Sequence, residues 1–251
     1  MANRHLLAAA LLGALALTGC TSESEAAMPS SPAPSPSPTP TVEALTTGSQ
    51  LTQEQVIAAM PTVEQIAAGW TATEVPASSD PTAALPEDFT ISPAECTPDL
   101  SVTDAPGVPA GAQIVADGSY LYSSPQNGDD PLSVTTLTTT ITSYDTELDA
   151  SALTDLRGRV MPCDTFDVTV SGLAGTAQVT PIELPARGDA NSGFRMRMDI
   201  LGMTVISDFA VIFDGHNAIA VSRSAFSDQD TSLITTTSDT LVDNLERVLA
   251  G

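Results

Sequence analysis

The chain contains no lysine, and its 8 basic residues, all arginine, stand against 31 acidic residues, giving a net charge of -23 over 251 residues. A surface this acidic repels phosphate backbones and anionic lipid headgroups, which excludes nucleic-acid binding and electrostatic binding to membranes. Histidine and cysteine are also scarce, with 2 and 3 residues respectively. Hydrophobic residues still make up 42% of the chain, which is enough to build a folded core.

Residue patterns for catalysis or metal binding are missing as well. His216 directly follows Asp214-Gly215, which predicts a place in a hairpin turn rather than a role as a general base. The chain has no Gly-x-Ser-x-Gly, His-Glu-x-x-His or Cys-x-x-Cys motif. The acidic segments 127–130 and 189–193 lack the ligand spacing of an EF-hand and are interpreted as turns. We therefore expect no catalytic residue, no metal site and no cofactor.

The first segment of the chain is typical of an export signal. Arg4 precedes an Ala/Leu-rich run over residues 6–17, which is too short to span a bilayer comfortably. The run ends in Leu17-Thr18-Gly19-Cys20, which resembles the lipobox of bacterial lipoproteins. The resemblance implies cleavage before Cys20 and acylation of its thiol, hence anchoring to the membrane through the acyl chains. The alternative is an ordinary secretory signal followed by a chance cysteine.

Residues 21–41 alternate proline with Ser, Thr and Ala, a composition that favours extended polyproline II and builds no core. At about 3.1 Å per residue this segment reaches roughly 65 Å. We therefore expect a lipoprotein signal peptide over residues 1–19, a lipidated cysteine and tether over 20–41, and an extracytoplasmic domain over 42–251.

Two cysteines, Cys96 and Cys163, remain once Cys20 is assigned to the anchor. An export signal together with an even number of remaining cysteines predicts one disulfide between them. Two buried free thiols are the alternative.

The pattern of the folded domain predicts an α+β fold with a largely antiparallel twisted sheet. Thr52 with Gln55 forms a capping-box pattern that starts the first of two short N-terminal helices, and Pro61 separates the two. One mid-chain helix is expected over residues 145–160, and a C-terminal helix from Asp230 or Thr231 packs on the sheet. Residues 71–111 are expected to be mostly irregular. Strands are expected over residues 113–123, 132–144, 166–170, 175–180, 193–201, 204–213 and 218–222.

This layout resembles the PknH-like extracellular sensor domain of actinobacteria. The features that carry the resemblance are Cys96 in the N-terminal loop, the passage over 144–156, Arg157-Gly158-Arg159-Val160-Met161-Pro162-Cys163, the 209–223 hairpin and the amphipathic C-terminal helix. The resemblance implies a ligand-binding cleft and transfers no catalytic residue. The chain differs from that family in two ways. It cannot form a second disulfide, and we expect its domain to be attached to a lipid anchor instead of a kinase.

Candidate ligand-binding residues come from three strands. Along residues 132–144, Thr135, Leu137, Thr139 and Ile141 form one face, which we expect to meet the core, and Val134, Thr136, Thr138, Thr140 and Thr142 form the other. The threonine face is interpreted as merely solvated or as a platform for a polar ligand. Arg195 and Arg197 alternate on another strand and either hold an anionic group or pair with neighbouring Asp and Glu. The candidate set is Tyr120, Tyr122, Thr136, Thr138, Thr140, Arg195 and Arg197.

Two functions follow from the sequence. The first is a membrane-anchored extracytoplasmic ligand-binding or sensor-like domain without catalysis, whose partner is a small-molecule or cell-envelope ligand. The second is a lipid or glycolipid carrier with an apolar cavity. A face of threonines argues against a greasy cavity lined by that strand and so weighs against the carrier.

Overall fold

The computed structural model describes residues 48–75, 90–97, 107–128, 130–155, 163–226 and 230–250. The predicted signal peptide, Cys20 and the Pro-rich tether lie outside the described residues. The chain divides into two compact units, and all described residues belong to the second, Glu43–Gly251. None of the helices in the described ranges is long and apolar enough to cross a membrane.

The domain is built on one nine-stranded sheet in which every neighbouring pair is antiparallel. Its strand order is β1-β3-β4-β9-β8-β7-β6-β5-β2, so consecutive hairpins are interrupted where β9 returns beside β4. The predicted α+β fold with a largely antiparallel sheet is confirmed. The strands are β1 (Thr71–Val75), β2 (Thr90–Ser92), β3 (Ile114–Ser123), β4 (Thr136–Tyr144), β5 (Thr165–Val170), β6 (Leu173–Pro181), β7 (Ala190–Ile200), β8 (Met203–Asp214) and β9 (Asn217–Phe226).

In the part of the chain that the structure describes, three α-helices accompany the sheet: α1 (Gln53–Ala59), α2 (Val63–Ile66) and α3 (Ser232–Ala250). Thr52 caps α1, since its hydroxyl accepts from the Gln55 N–H and the Gln55 side chain accepts from the Thr52 N–H in return. This is the predicted capping box, which satisfies two backbone donors at the helix start. The C-terminal helix begins one residue after Thr231, close to its predicted start.

The main core lies between the helices and one face of the sheet, which we call the helix face. Leu137 and Ile141 of β4 are fully buried there, together with residues of β8, β9, α1 and α3. Thr139 is also buried, whereas Thr136, Thr138, Thr140 and Thr142 are half-buried on the opposite face. The predicted orientation is therefore confirmed over Thr136–Tyr144, because side chains alternate between the two faces. The predicted start of this strand at residue 132 is wrong, since a 3₁₀ turn spans Pro131–Ser133.

Two smaller clusters cover parts of the opposite face. Cys96 and Cys163 form the predicted disulfide, and Cys96 is buried with Phe166, Val168, Ala177, Val179 and Phe194 over β5, β6 and β7. Leu148 and Leu153 pack on Phe213 at the far end of β8. The disulfide thus ties the short 3₁₀ turn Ala94–Cys96 to the entry of β5.

The predicted mid-chain helix is wrong over its first turn. Residues 145–149 are not helical, and a 3₁₀ helix spans Ala150–Asp155 instead. The Leu148 N–H donates to Gly215 and the Asp149 N–H donates to Gly107, so both donors are bound to other segments. The Asp149 carboxylate then accepts from the Ser151 N–H and starts the short helix. The predicted continuation over 156–160 lies outside the described residues.

Two edge strands were also missed within the segment expected to be irregular. Thr71–Val75 is exposed along four of its five residues, and Thr90–Ser92 is only three residues long. Edge strands bury little, so neither segment carries the hydrophobic alternation by which strands are recognised. Pairing with β3 and β5, respectively, holds them in the sheet.

Candidate functional site

The sheet separates the predicted ligand-binding residues into two groups. Cross-strand partners share a face, and the register pairs Tyr120 with Thr139 and Tyr122 with Leu137. Both tyrosines therefore point to the helix face. Thr136, Thr138 and Thr140 point the other way, so tyrosines and threonines do not contribute to one surface.

The tyrosines belong to the core. Tyr122 is fully buried, and its hydroxyl donates to the Pro61 carbonyl at 2.6 Å. Burial raises the pKa of Tyr122 to about 12, because the phenolate would lose its hydration. Tyr120 is half-buried against the same core, with its ring centroid 6.4 Å from that of Tyr122. The packing of these two tyrosines in the core holds β3 against α1.

The arginines also lie on the helix face, and each is paired with a carboxylate. Arg195 donates to both oxygens of Asp208, with Nε–Oδ1 and Nη2–Oδ2 distances of 2.6 and 2.8 Å. Arg197 makes the same two-pronged contact with Asp199, at 2.9 and 3.0 Å. The expected pairing with neighbouring acidic residues is therefore what the structure shows.

Arg223 of β9, which the sequence did not single out, completes a buried ionic row. Its Nη1 donates to Asp208 Oδ2 at 2.7 Å, from the strand on the other side of β8. Asp208 and Arg223 have side chains only 0% and 1% exposed, and Arg195 is 13% exposed. The register places the three residues directly opposite one another on adjacent strands. We call Arg195, Asp208 and Arg223 the ionic row.

A substitution of Asp208 tests the energetic weight of the ionic row. Asp208→Ala removes the carboxylate that both guanidinium groups share, and we expect it to lower the free energy of unfolding by about 3–5 kcal/mol. Asp199→Ala is the matched control, since Asp199 pairs with Arg197 at a site about half exposed and should cost less than ~1 kcal/mol. Urea denaturation measures both, and equal losses would contradict a special role for the row.

The opposite side of the sheet is free of charge across six neighbouring strands, β4, β9, β8, β7, β6 and β5. The register puts every charged residue of these strands on the helix face. Those residues are Asp167, Arg195, Arg197, Asp199, Asp208, Asp214 and Arg223. The chain has 39 Asp, Glu and Arg residues in total, 8 basic and 31 acidic. With so many charged residues, the absence of charge from one face of six strands is a distinctive property of the sheet. We call this side the uncharged face.

Between the disulfide cluster and the Leu148–Phe213 cluster, the uncharged face carries two adjoining patches. The hydroxyl patch consists of Thr136, Thr138 and Thr140 of β4 with Ser222 and Ser224 of β9. The apolar patch consists of Val205 and Phe209 of β8 with Met196 and Met198 of β7, and the buried Ser207 lies between Val205 and Phe209, opposite Met196. Except for Ser224, which is exposed, the side chains that make up the two patches are half-buried.

The two patches meet in one row of the sheet. Thr138 lies directly opposite Ser222, and Ser222 lies directly opposite Phe209. The Phe209 ring stacks on Phe194, with centroids 4.9 Å apart and planes at 24°. Within the described part of the chain, no side-chain hydrogen bond engages the hydroxyls of Thr136, Thr138 or Ser222, whereas Thr140 contacts Ser119 at 2.9 Å. The row therefore offers donors and acceptors beside a fixed aromatic ring.

An acidic cleft of about 360 Å³ lies at the β8–β9 turn, lined by Glu147, Asp189, Asp214 and His216 together with Gly48 and Ser49. Asp214 is 4% exposed, and among the described residues its Oδ2 has no hydrogen-bond partner. Burial, reinforced by the nearby Asp189, raises the pKa of Asp214. Among the described residues, no three His, Cys, Asp or Glu side chains are arranged to hold a metal ion.

The turn itself is held by backbone contacts. His216 donates its N–H to the Gly48 carbonyl at 3.0 Å, and its ring Nδ1 lies 3.0 Å from the Tyr144 carbonyl. Gly215 has a φ of 56° and packs so closely on Gly48 that any Cβ would collide with it. His216 is half-buried and bonded, in the hairpin turn that the sequence predicts. These contacts fasten the start of the domain to the β8–β9 hairpin.

Asp214 gives a pH-dependent contribution to stability. Because its pKa is raised on folding, it favours the folded state fully only below the ordinary value of 3.8, and that contribution is lost as pH rises through the folded pKa. Asp214→Asn removes this loss and keeps an acceptor for the Gly48 N–H. We expect the variant to be more stable than the wild type at pH 7 and to show a smaller difference near pH 4.

Asp145→Asn is the control of opposite sign. A hydrogen bond from the Gln113 N–H lowers the pKa of Asp145, so its contribution is present at neutral pH and is lost on acidification. Thermal unfolding between pH 3.5 and 8, a range that brackets ordinary carboxyl values on both sides, compares both variants with the wild type. A destabilised Asp214→Asn at pH 7 would contradict the assignment for Asp214.

Comparison with known structures identifies the fold. The extracellular domain of PknH from Mycobacterium tuberculosis superposes with a TM-score of 0.55 at 12% identity, covering 80% of this chain and 99% of that one. A putative uncharacterized protein (Rv0999 ortholog) from Mycobacterium smegmatis gives a TM-score of 0.39 at 15% identity, covering 74% and 90%. No family model and no curated protein matches the sequence. The chain is thus similar in fold to the PknH extracellular domain, as the sequence pattern indicated.

Proposed function

We propose that this chain is a membrane-anchored, extracytoplasmic ligand-binding protein of sensor-like type, which binds an uncharged ligand on the uncharged face and performs no catalysis. The observation that carries the proposal is the strip of half-buried Thr, Ser, Met and Phe side chains on an otherwise strongly acidic chain. A carboxylate or guanidinium beside a neutral ligand would have to lose hydration without gaining an ion partner. A binding surface for a neutral molecule is therefore best built without charges.

The chemistry of the strip supports binding rather than catalysis. A serine or threonine nucleophile needs a base within hydrogen-bond reach, and histidine, carboxylate or lysine usually supplies it. Ser222 and Thr138 share their face with none of these across six strands. The similarity in fold to the extracellular domain of PknH supports the extracytoplasmic location that we propose for this chain.

The anchor is a separate part of the proposal. If Cys20 carries acyl chains, Cys20→Ser should move the full chain from the membrane fraction of the producing bacterium to the soluble fraction. Acyl chains contribute about 0.8 kcal/mol per buried CH₂, so two chains hold a protein stably and their removal should release it. Fractionation with immunoblotting measures the distribution. A Cys20→Ser variant that stays on the membrane would contradict the anchor.

The lipid or glycolipid carrier is the second candidate, and the apolar patch is the observation in its favour. Met196 and Met198 are flexible, polarizable side chains that adapt to an alkyl chain, and Phe209 gives them a rigid neighbour. A carrier differs from a sensor in releasing its cargo to a second membrane. Transfer of a bound lipid between two vesicle populations therefore distinguishes the two.

A charge placed in the middle of the strip tests the binding function. We expect the full chain, purified from membranes of an actinobacterial host, to retain an uncharged envelope molecule that extraction and mass spectrometry identify. Ser222→Glu inserts a carboxylate between Thr138 and Phe209 and should abolish that retention. Gln178→Glu adds the same charge on the exposed helix face of β6 and should leave it unchanged.

Circular dichroism and the unfolding midpoint verify that the Ser222→Glu variant is folded. The proposal is overturned if the wild type retains no molecule, or if a folded Ser222→Glu variant retains it as well as Gln178→Glu does.

A further inference from the structure

The division of the uncharged face into two patches indicates which class of molecule would bind there. This inference rests on the proposed function. We infer that the ligand is an uncharged amphiphile, with a hydroxyl-bearing headgroup on the hydroxyl patch and an aliphatic chain on the apolar patch. A neutral glycolipid has this chemistry. The patches adjoin along the β9–β8 pair, so one molecule of this kind contacts both.

The hydroxyl patch suits a headgroup that both donates and accepts hydrogen bonds. Thr136, Thr138 and Thr140 project from one strand at intervals of two residues, about 6.8 Å apart, and Ser222 lies on the next strand about 4.8 Å away. Each hydroxyl group offers one donor and two acceptor lone pairs and rotates to suit its partner. The threonine methyl groups lie between them and suit the apolar surface of a sugar ring.

The apolar patch suits an alkyl chain. Val205 lies opposite Met198 and Phe209 lies opposite Phe194, so the side chains of β8 and β7 form two adjoining rows. From Phe209 to Val205 the strand advances four residues, about 14 Å, a length that suits an alkyl chain of medium length. Ser207 lies midway but is buried and contacts Ser224, so Met196 on the neighbouring strand supplies the apolar surface there. The patch continues into the disulfide cluster, against which Met196, Met198 and Phe209 pack.

The charge distribution selects against ionic amphiphiles. Within the six described strands, the phosphate, sulfate or carboxylate of an anionic headgroup would meet no cation on the uncharged face. Arg195 and Arg197 project from the opposite side of the sheet, where Asp208 and Asp199 neutralise them. Among the described strands, a cationic headgroup would find a carboxylate only at the margin of this face, where Asp117 of β3 lies opposite Thr142.

Four probes separate the two parts of the ligand. The full chain is titrated by isothermal calorimetry with decyl maltoside below its critical micelle concentration, with maltose, with decyl sulfate and with decyl trimethylammonium. We expect decyl maltoside to bind at least about tenfold more tightly than each of the other three, because only this probe engages both patches without a buried charge.

Variants then assign each half of the probe to its patch. Thr138→Val keeps the shape and removes the hydroxyl, and Met198→Gln keeps the length and adds polarity. Each should weaken decyl maltoside binding by about threefold to tenfold, the usual effect of one lost hydrogen bond or one lost apolar contact. Thr176→Val, on the exposed helix face of β6, is the control and should change nothing.

The inference is overturned if maltose binds as tightly as decyl maltoside, or if either ionic detergent does. It is also overturned if Thr138→Val and Met198→Gln bind decyl maltoside as the control does. In these cases the proposed function still stands, provided that the wild type retains an uncharged envelope molecule and Ser222→Glu loses it.

Discussion

The position of Asp208 between two arginines is the interaction on which the arrangement of the sheet depends. The three strands β9, β8 and β7 meet at the ionic row, with one charged residue on each. A slip of one residue in any of these strands would turn its charge toward the uncharged face and leave its partners buried without an ion partner, at a cost of several kcal/mol. The ionic row therefore specifies the register. The register in turn decides which side chains form the hydroxyl and apolar patches.

The apolar side chains on both faces of a wide sheet have to be buried by other segments of the chain. In this chain, such segments cover each face in part. Helices α1 and α3 pack over the strands from β3 to β8 on the helix face. On the uncharged face, the disulfide holds Cys96 over β5 to β7, and a short 3₁₀ segment holds Leu153 on Phe213. Among the described residues, the disulfide cluster reaches the apolar patch, where Met196, Met198 and Phe209 pack against it, whereas the hydroxyl patch belongs to neither cluster. The two patches, apart from the exposed Ser224, are thus half-buried, and they are the surface proposed to bind a ligand.

Local sequence patterns predict structural features that depend on residues close together in the sequence. They fail where segments far apart in the sequence contact each other. The capping box of Thr52 and Gln55 and the alternation around Leu137 are properties of short stretches, and both are confirmed. Residues 145–149 have helical spacing, but their backbone donors bind Gly215 and Gly107, which no local pattern reveals. The candidate residues were grouped without knowledge of the strand pairing, and only the register shows that Arg195 and Thr138 face opposite sides of the sheet. The charges on alternate residues of β7 were the signal available in the sequence, and the pairing of β7 with β8 and of β8 with β9 shows which side of the sheet they occupy.

The strong negative charge of the chain and the absence of charge on one face of its sheet are physically related. Carboxylates on the outer surface keep an acidic domain apart from other acidic surfaces, since like charges repel at distances up to about 10 Å at moderate ionic strength. The same carboxylates placed beside a neutral ligand would lose hydration on binding and gain nothing in return. In strands β4 to β9, every charged side chain projects from the helix face, away from the two patches. On that face Asp208 and Asp199 are each paired with arginine. The eight arginines are few, and three of them, Arg195, Arg197 and Arg223, are used in these pairs. These arginines thus neutralise Asp208 and Asp199 behind the two patches, which keeps the electrostatic field of these strands low where a neutral molecule would bind.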